Sequence, residues 1–461
     1  MRTIIAVTAA VLLSAPAAGC RQPPRAGPGP AEAHPLAMLA TDGTAPADHL
    51  IGDLQAQLRR EPASPETWAR LGEAWARRAR EAADPGHSRS AADCAEAALA
   101  LSPGHRRAQA LKGLVLLDAH RFDEARRLAE GLLERDPRDL TALGIRSDAL
   151  LELGRFEESV EAAQRMLDLK PSLPSYARAS YLMWLRGDVA GALDAARLAI
   201  DAGGGREARA WVMAQTALLF WHQGDLDGAD AGLDRALAEQ PGYPAALAAK
   251  GKVALSRGDA AAAVGWLEQA WRRAPLPETA WLLADARRAR GDEAGARKAE
   301  ELVIRAGRAL DRRTLALFLA TRDRDGAEAL RLAEAERATR GDFQTEDALA
   351  WALFRAGRLR EADDAARRAT RLGTPDARLL YHAGAIRLAR GDARGGRALI
   401  RRALALNPSF DAAEAAEARR LVGERTSASA PAATRTATAT AASTSIRTAT
   451  RTSTSRARPL R

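Results

Sequence analysis

From residue 48 to residue 425 apolar positions, mostly Ala and Leu, come in short groups interrupted every few residues by Arg, Glu or Asp. No run alternates Val, Ile or Thr as a half-buried strand would, whereas Ala, Leu, Arg and Glu lose little freedom on entering a helix. The pattern predicts helices throughout, and its punctuation recurs at one interval. Pro103, Pro137 and Pro171 are 34 residues apart, as are Pro241 and Pro275, Gly224 and Gly258, and Gly357 and Gly391. The segments "GRFEES" at 154, "GDVAGA" at 187, "GDLDGA" at 224, "GDAAAA" at 258, "GDEAGA" at 291, "GRLREA" at 357 and "GDARGG" at 391 read as corners between paired helices. Glycine there supplies a turn that a Cβ would strain, and the small residue five places on lets the two helices approach. Proline at the end of the unit stops the second helix before the next begins. Such a hairpin cannot bury its apolar stripe alone, so the hairpins must stack.

A 34-residue helix-turn-helix period resembles the tetratricopeptide repeat. The clearest copy is "WARLGEAW", where Trp68, Leu71, Gly72 and Trp75 match W-x2-L-G-x2-Y with Trp in place of Tyr. The resemblance implies an all-α fold, an α-solenoid or superhelix of about ten repeats between residues 66 and 410. A single helix near 48–60 precedes the array, and the polar helix "DAAEAAEARRLVGE" near 411–423 is expected to cap its last apolar face. Three departures stand out: an insertion, "REAADPGHS", between the helices of the first repeat; "IDAGGGREA" in place of a terminal proline, a candidate flexible joint at 203–205; and Arg322 where a corner glycine is expected.

In this family the first helix of each pair lines the concave wall. Counted in the family's register, Leu349, Ala350, Leu353, Ala362, Ala366 and Ala369 fall at core positions of the ninth repeat, while Trp351 and Phe354 share a face and point into the groove. The same count places Tyr181 and Trp184 of the fourth repeat and Trp211 and Trp221 of the fifth on that wall. Six aromatics on one wall of a chain that is only 4% aromatic form the candidate partner-binding groove. Large rigid side chains bury much area at little entropic cost. Packing against the next first helix is the competing placement. The resemblance does not extend to the family's carboxylate clamp, because the only Asn in the chain is Asn407 and no first helix carries one. An extended, largely apolar peptide or a partner helix suits the wall better.

Charge and cysteines bear on the ends of the chain. The net charge of +10 is concentrated at the C-terminus, where residues 426–461 hold six Arg and no acid. "MRTIIAVTAAVLLSAPAAGC" has a basic start, an apolar stretch over residues 4–13 and small residues before Cys20, the form of an export signal rather than a span. Ala17-Ala18-Gly19-Cys20 is similar to the lipobox of bacterial lipoproteins, with Ala instead of Leu three places before the cysteine. That resemblance implies a lipidated Cys20 and a membrane anchor; cleavage after Ala17, giving a soluble product, is the other route. The chain thus divides into a signal peptide (1–19), a Pro/Gly-rich tether (20–47), the superhelix (48–425) and an Arg/Ser/Thr/Ala-rich tail (426–461) expected to be disordered. Cys94 reads as a small residue on a packed helix.

No catalytic pattern is found. The seven His are scattered without H-E-x-x-H, no cysteine cluster suits zinc, and neither a phosphate loop nor a G-x-S-x-G turn occurs. "QGDLDGADAGLD" lacks the ligands of a calcium loop at both ends. The reading is a non-enzymatic scaffold of the cell envelope, facing the periplasm, with a protein partner, no cofactor, no metal and no nucleic acid. The alternatives are a soluble periplasmic binder of anionic envelope polymer through the tail, and a non-catalytic subunit of an enzyme complex.

Overall fold

The computed structural model describes residues 33–424, apart from 42, 44 and 83. Cys20, the leader and the tail lie outside them. Among the described residues there are 22 helices and no strand. A lone helix, α1 (Pro46–Arg60), precedes ten hairpins. The first five are α2 (Pro65–Ala82) with α3 (Pro85–Leu101), α4 (Arg106–Asp118) with α5 (Phe122–Arg135), α6 (Leu140–Glu152) with α7 (Phe156–Leu169), α8 (Leu173–Leu185) with α9 (Val189–Asp201), and α10 (Arg206–His222) with α11 (Leu226–Glu239). The second five are α12 (Pro244–Ser256) with α13 (Ala260–Arg273), α14 (Pro277–Ala289) with α15 (Glu293–Leu310), α16 (Arg312–Thr321) with α17 (Gly326–Arg337), α18 (Phe343–Arg355) with α19 (Leu359–Ala369), and α20 (Ala377–Ala389) with α21 (Ala393–Leu406). The closing helix is α22 (Ala412–Val422). Each helix packs on its hairpin partner and on the next hairpin, so the array is the α-solenoid expected. Its interior is mainly alanine interleaved with Leu and aromatics, which brings helix axes close.

Each Gly-Asp corner does two jobs. Gly187, Gly224, Gly258, Gly291 and Gly391 take the left-handed conformation, with φ between 75° and 94°. The following Asp then caps the second helix: Asp188, Asp225, Asp259, Asp292 and Asp392 accept from the backbone N–H three residues on at 2.8–2.9 Å. Of the acids of the calcium-like segment, Asp225 is engaged in capping, while Asp227, Asp230 and Asp234 pair with Lys250 or Arg257. The corners of the second and eighth repeats lack glycine. His120 (φ 57°) and Asp323 (φ 53°) occupy the left-handed position instead, and both are residue types that tolerate it. The corner of the eighth repeat is thus Asp323, one place beyond the expected Arg322. The "REAADPGHS" insertion forms little loop; it is absorbed into α2 and α3, of 18 and 17 residues. The array continues through Gly203 and Gly204, with α9 packed on α10.

Part of the expected tether is seated on the first repeat. The carbonyl of Ala37 accepts from Trp75 Nε1 and Gln55 Nε2, both at 3.0 Å, and Asp93 receives the Ala37 N–H at 3.0 Å. His34 Nδ1 lies 2.8 Å from Asp93, which pins residues 34–39 across α1, α2 and α3.

The superhelix also closes on itself. Its linkers return to the corners of repeats passed 186–189 residues earlier, about five and a half periods. The Gly341 N–H donates to the Glu152 carbonyl at 2.8 Å. One repeat on, Thr374 Oγ1 donates to the Leu185 carbonyl at 2.8 Å, and one further on, Asn407 Nδ2 donates to the Trp221 carbonyl at 2.8 Å. These acceptors lie in the last turns of α6, α8 and α10, where helical carbonyls have room for a further donor; the Trp221 carbonyl also accepts from the Gly224 N–H at 2.9 Å. Gly154 sits so near the Gly341 carbonyl that any Cβ would collide with it.

Candidate functional site

The six aromatics of the expected wall do not share one exposed surface. Tyr181 and Trp211 are exposed, at 38% and 41%, and Phe354 is partly buried. Trp184, Trp221 and Trp351 are only 4–5% exposed, which corrects the expectation that they stand free in a groove. Each is covered from a different side.

Trp351 reaches sideways onto α20, where it stacks on His382 with ring centroids 4.0 Å apart and planes 14° apart; Phe354 packs near it at 5.0 Å. Trp184 is met by His222 of the next first helix at 4.8 Å and by Phe343, from the following superhelical turn, at 6.1 Å. Trp221 donates from Nε1 to Ser256 at 2.8 Å and carries Lys252 over its ring at 4.6 Å, while Ser256 in turn donates to the Ser409 carbonyl. A register argument places a side chain on a helix face but cannot say what another helix or turn lays over it. Trp281 and Tyr381, outside the proposed wall, are likewise interior.

The inside of the superhelix is polar. Glu278, at the start of α14, is 66% exposed, yet it lies 3.2 Å from Lys252 of α12, whose charge holds its carboxyl below the usual range against the desolvation of the surrounding protein. Tyr181 is open to solvent but enclosed by protein: burial, reinforced by Glu152 and Asp342, pushes its phenol up. Arg313 pairs with Asp342 at 3.0 Å. Arg378 pairs with Asp411 at 2.9 Å and lies over the Trp281 ring at 5.1 Å. His222 Nδ1 lies 3.6 Å from Asp376, but burial outweighs that carboxylate and pushes the imidazole down to about 4, so it is neutral at pH 7.

His382 behaves in the opposite way. Fully buried, its Nδ1 is 3.0 Å from Asp347 and its Nε2 is 3.0 Å from Glu414. Ionised carboxylates only accept, so both ring nitrogens carry protons and the ring is an imidazolium sandwiched against Trp351. Burial pulls its pKa down, but the two carboxylates win and push it up to about 9. The sequence showed His382 as one of seven scattered histidines; its partners come from α18 and α22. Cys94 is a buried free thiol, pushed up by burial and by Asp93, a small core residue rather than a nucleophile. No described helix is long and apolar enough to cross a membrane.

A shallow crevice lies where two turns meet. One side is Leu151, Glu152, Phe156, Tyr181 and Leu185; the other includes Asp342, Phe343, Gln344, Arg368 and Arg371.

An α-solenoid of stacked hairpins is a type of fold that serves as a protein-interaction scaffold. Tetratricopeptide repeats are present in it: their family model matches residues 110–174 and 215–276. No curated protein matches. Among solved structures, PilW, a widely conserved type IV pilus biogenesis factor, is similar at 17% identity over 44% of this chain and 93% of its own, with a TM-score of 0.38. The human IFIT1 dimer with PPP-AAAA is similar at 14% identity over 81% and 94%, with a TM-score of 0.45. A thermophilic TPR protein of Thermus thermophilus, TTC0263, is similar at 20% identity over 39% and 92%, with a TM-score of 0.34.

Proposed function

We propose that the protein is a non-enzymatic scaffold of the bacterial cell envelope, held to the membrane by a lipid on Cys20 and binding another protein through its repeats. The observation that carries the partner reading is the exposure of Tyr181 and Trp211 on an array whose other described large aromatics are buried or partly buried. Rigid aromatics left in solvent are what interfaces enrich at their centres. The anchor reading rests on the leader and Cys20, and the seated segment at 34–39 would leave only the preceding residues as free tether.

The test is crosslinking and capture from membranes with the wild-type chain beside Tyr181→Ala and Trp211→Ala. Loss of the same captured protein from both variants supports the reading; an unchanged set removes it. Cys20→Ser should move the chain from the membrane fraction to the soluble one, and retention in the membrane sinks the anchor. Deleting residues 426–461 separates the alternative: if binding disappears with the tail while Tyr181→Ala is silent, the protein is a binder of anionic envelope polymer.

A further inference from the structure

We infer that the closed superhelix is autoinhibited: the surface formed by the ends of α6 and α8 with the start of α5 docks a peptide segment, and residues 340–343 of the chain, which lead into the first turn of α18, occupy it in cis. The inference deepens the scaffold reading by naming a docking surface and the chemistry of what fits it. Its occupant is a partner segment bearing an Arg and, three residues later, an aromatic.

The chain's own segment displays the recognition. Arg340 is nearly sealed from solvent, pairs with Glu152 and lies over the Phe122 ring at 5.1 Å. Gly341 donates its N–H to the Glu152 carbonyl at 2.8 Å, and Phe343 meets Trp184 edge-on. A guanidinium on a carboxylate and an aromatic face, a backbone bond to a helix-terminal carbonyl and an aromatic on an indole form a peptide-recognition set.

The cis segment fits incompletely. The crevice between the two turns remains open beside it, with Tyr181 exposed at its edge. Trp184 Nε1 is buried with no hydrogen-bond partner among the described residues. A partner strand that supplies a carbonyl there would satisfy a group the cis segment leaves wanting. The neighbouring linkers hold the turn closed through isolated polar bonds, Thr374 to Leu185, Asn407 to Trp221, and Arg371 to the Gly154 carbonyl at 2.7 Å. Each is a single bond that water can replace, so opening breaks contacts that can be replaced one by one.

The test weakens the cis ligand and leaves the receptor residues untouched. A fluorescein-labelled peptide spanning residues 338–346 is titrated into the full chain as wild type and as Arg340→Ala/Phe343→Ala. At least tenfold tighter binding by the double variant, abolished by adding Glu152→Gln, is the expected result. Equal or absent binding in both chains, with helical content intact, overturns the inference. Should the double variant fail to fold, Thr374→Ala/Asn407→Ala replaces it. The Gly341 amide should then exchange at least tenfold faster than in wild type and slow again when the peptide is added; unchanged exchange overturns the inference. Concentration-dependent dimers of either variant would also overturn it, by making a second copy the occupant. The experiment uses purified chain and no envelope partner, so its failure leaves the capture result with Tyr181→Ala and Trp211→Ala standing.

Discussion

Two kinds of contact hold this array together, and they differ in chemistry. Between successive hairpins the interface is apolar and continuous: alanines, leucines and the rings of Trp281, Trp351, Phe318 and Tyr381 share one interior. Between successive turns the seam is mainly a row of linkers, each supplying a hydrogen bond or an ion pair to the end of a helix, with Phe343 and Leu372 adding a small apolar contact beside Trp184. Apolar burial is non-directional and sums over the whole stack, so it resists any single loss. Polar bonds that water can replace contribute little net each, so the seam can part while the hairpins remain folded. Stability therefore belongs to the stack, and change of shape to the seam.

The largest expected effect lies in the stack. Trp351→Ala removes a buried indole and the stack on His382, and should cost about 3–5 kcal/mol in denaturant unfolding. A loss below about 1 kcal/mol would mean that Trp351 faces solvent after all.

The titration of His382 is next. Its folded pKa, about 9, lies above the ordinary 6.5 of an unfolded histidine, so its contribution is complete below pH 6.5 and is lost as pH rises through 9. The span is worth on the order of 3 kcal/mol. His222 acts at the other end. Its folded pKa is depressed to about 4, so the unfolded chain takes the proton first and stability falls as pH drops from 6.5 toward 4. Thermal melts across this range should give a dome whose alkaline limb flattens in His382→Gln; an unchanged limb in that variant would assign the loss to other groups.

The seam comes third. Asn407→Ala removes one amide bond to the Trp221 carbonyl and should lower global stability by only about 1 kcal/mol. Small-angle scattering should nevertheless show a larger radius of gyration. A cooperative loss as large as that of Trp351→Ala would make the seam part of the stack and erase the contrast.

The smallest effect is at the exposed rings. Tyr181→Ala and Trp211→Ala should each change unfolding free energy by about 0.5 kcal/mol or less, as surface substitutions do. If either unfolds the chain, its role in partner capture cannot be separated from its role in the fold.

What was legible in the sequence follows the same division. The corner glycines, the Asp that follows five of them and the terminal prolines act within one turn of helix, so their consequences were readable residue by residue. The exposure of Trp184 and Trp221 was not, since Phe343 and the residues at 407–409 that help to cover them arrive from more than 120 positions away. One signal was available: Gly341, Thr374 and Asn407, two of them hydrogen-bonding side chains and one the only asparagine, recur at one repeat spacing. Without the pitch of the superhelix, nothing says what lies opposite them.

The sequence by itself determined the unit: a hairpin of two helices, its corner, its caps and an apolar stripe that forces stacking. Only the tertiary structure decided how tightly the stack coils. That curvature is the sum of small rotations at each interface, and it brings Arg340 to Glu152, His382 to Glu414 and the linkers to the helix ends.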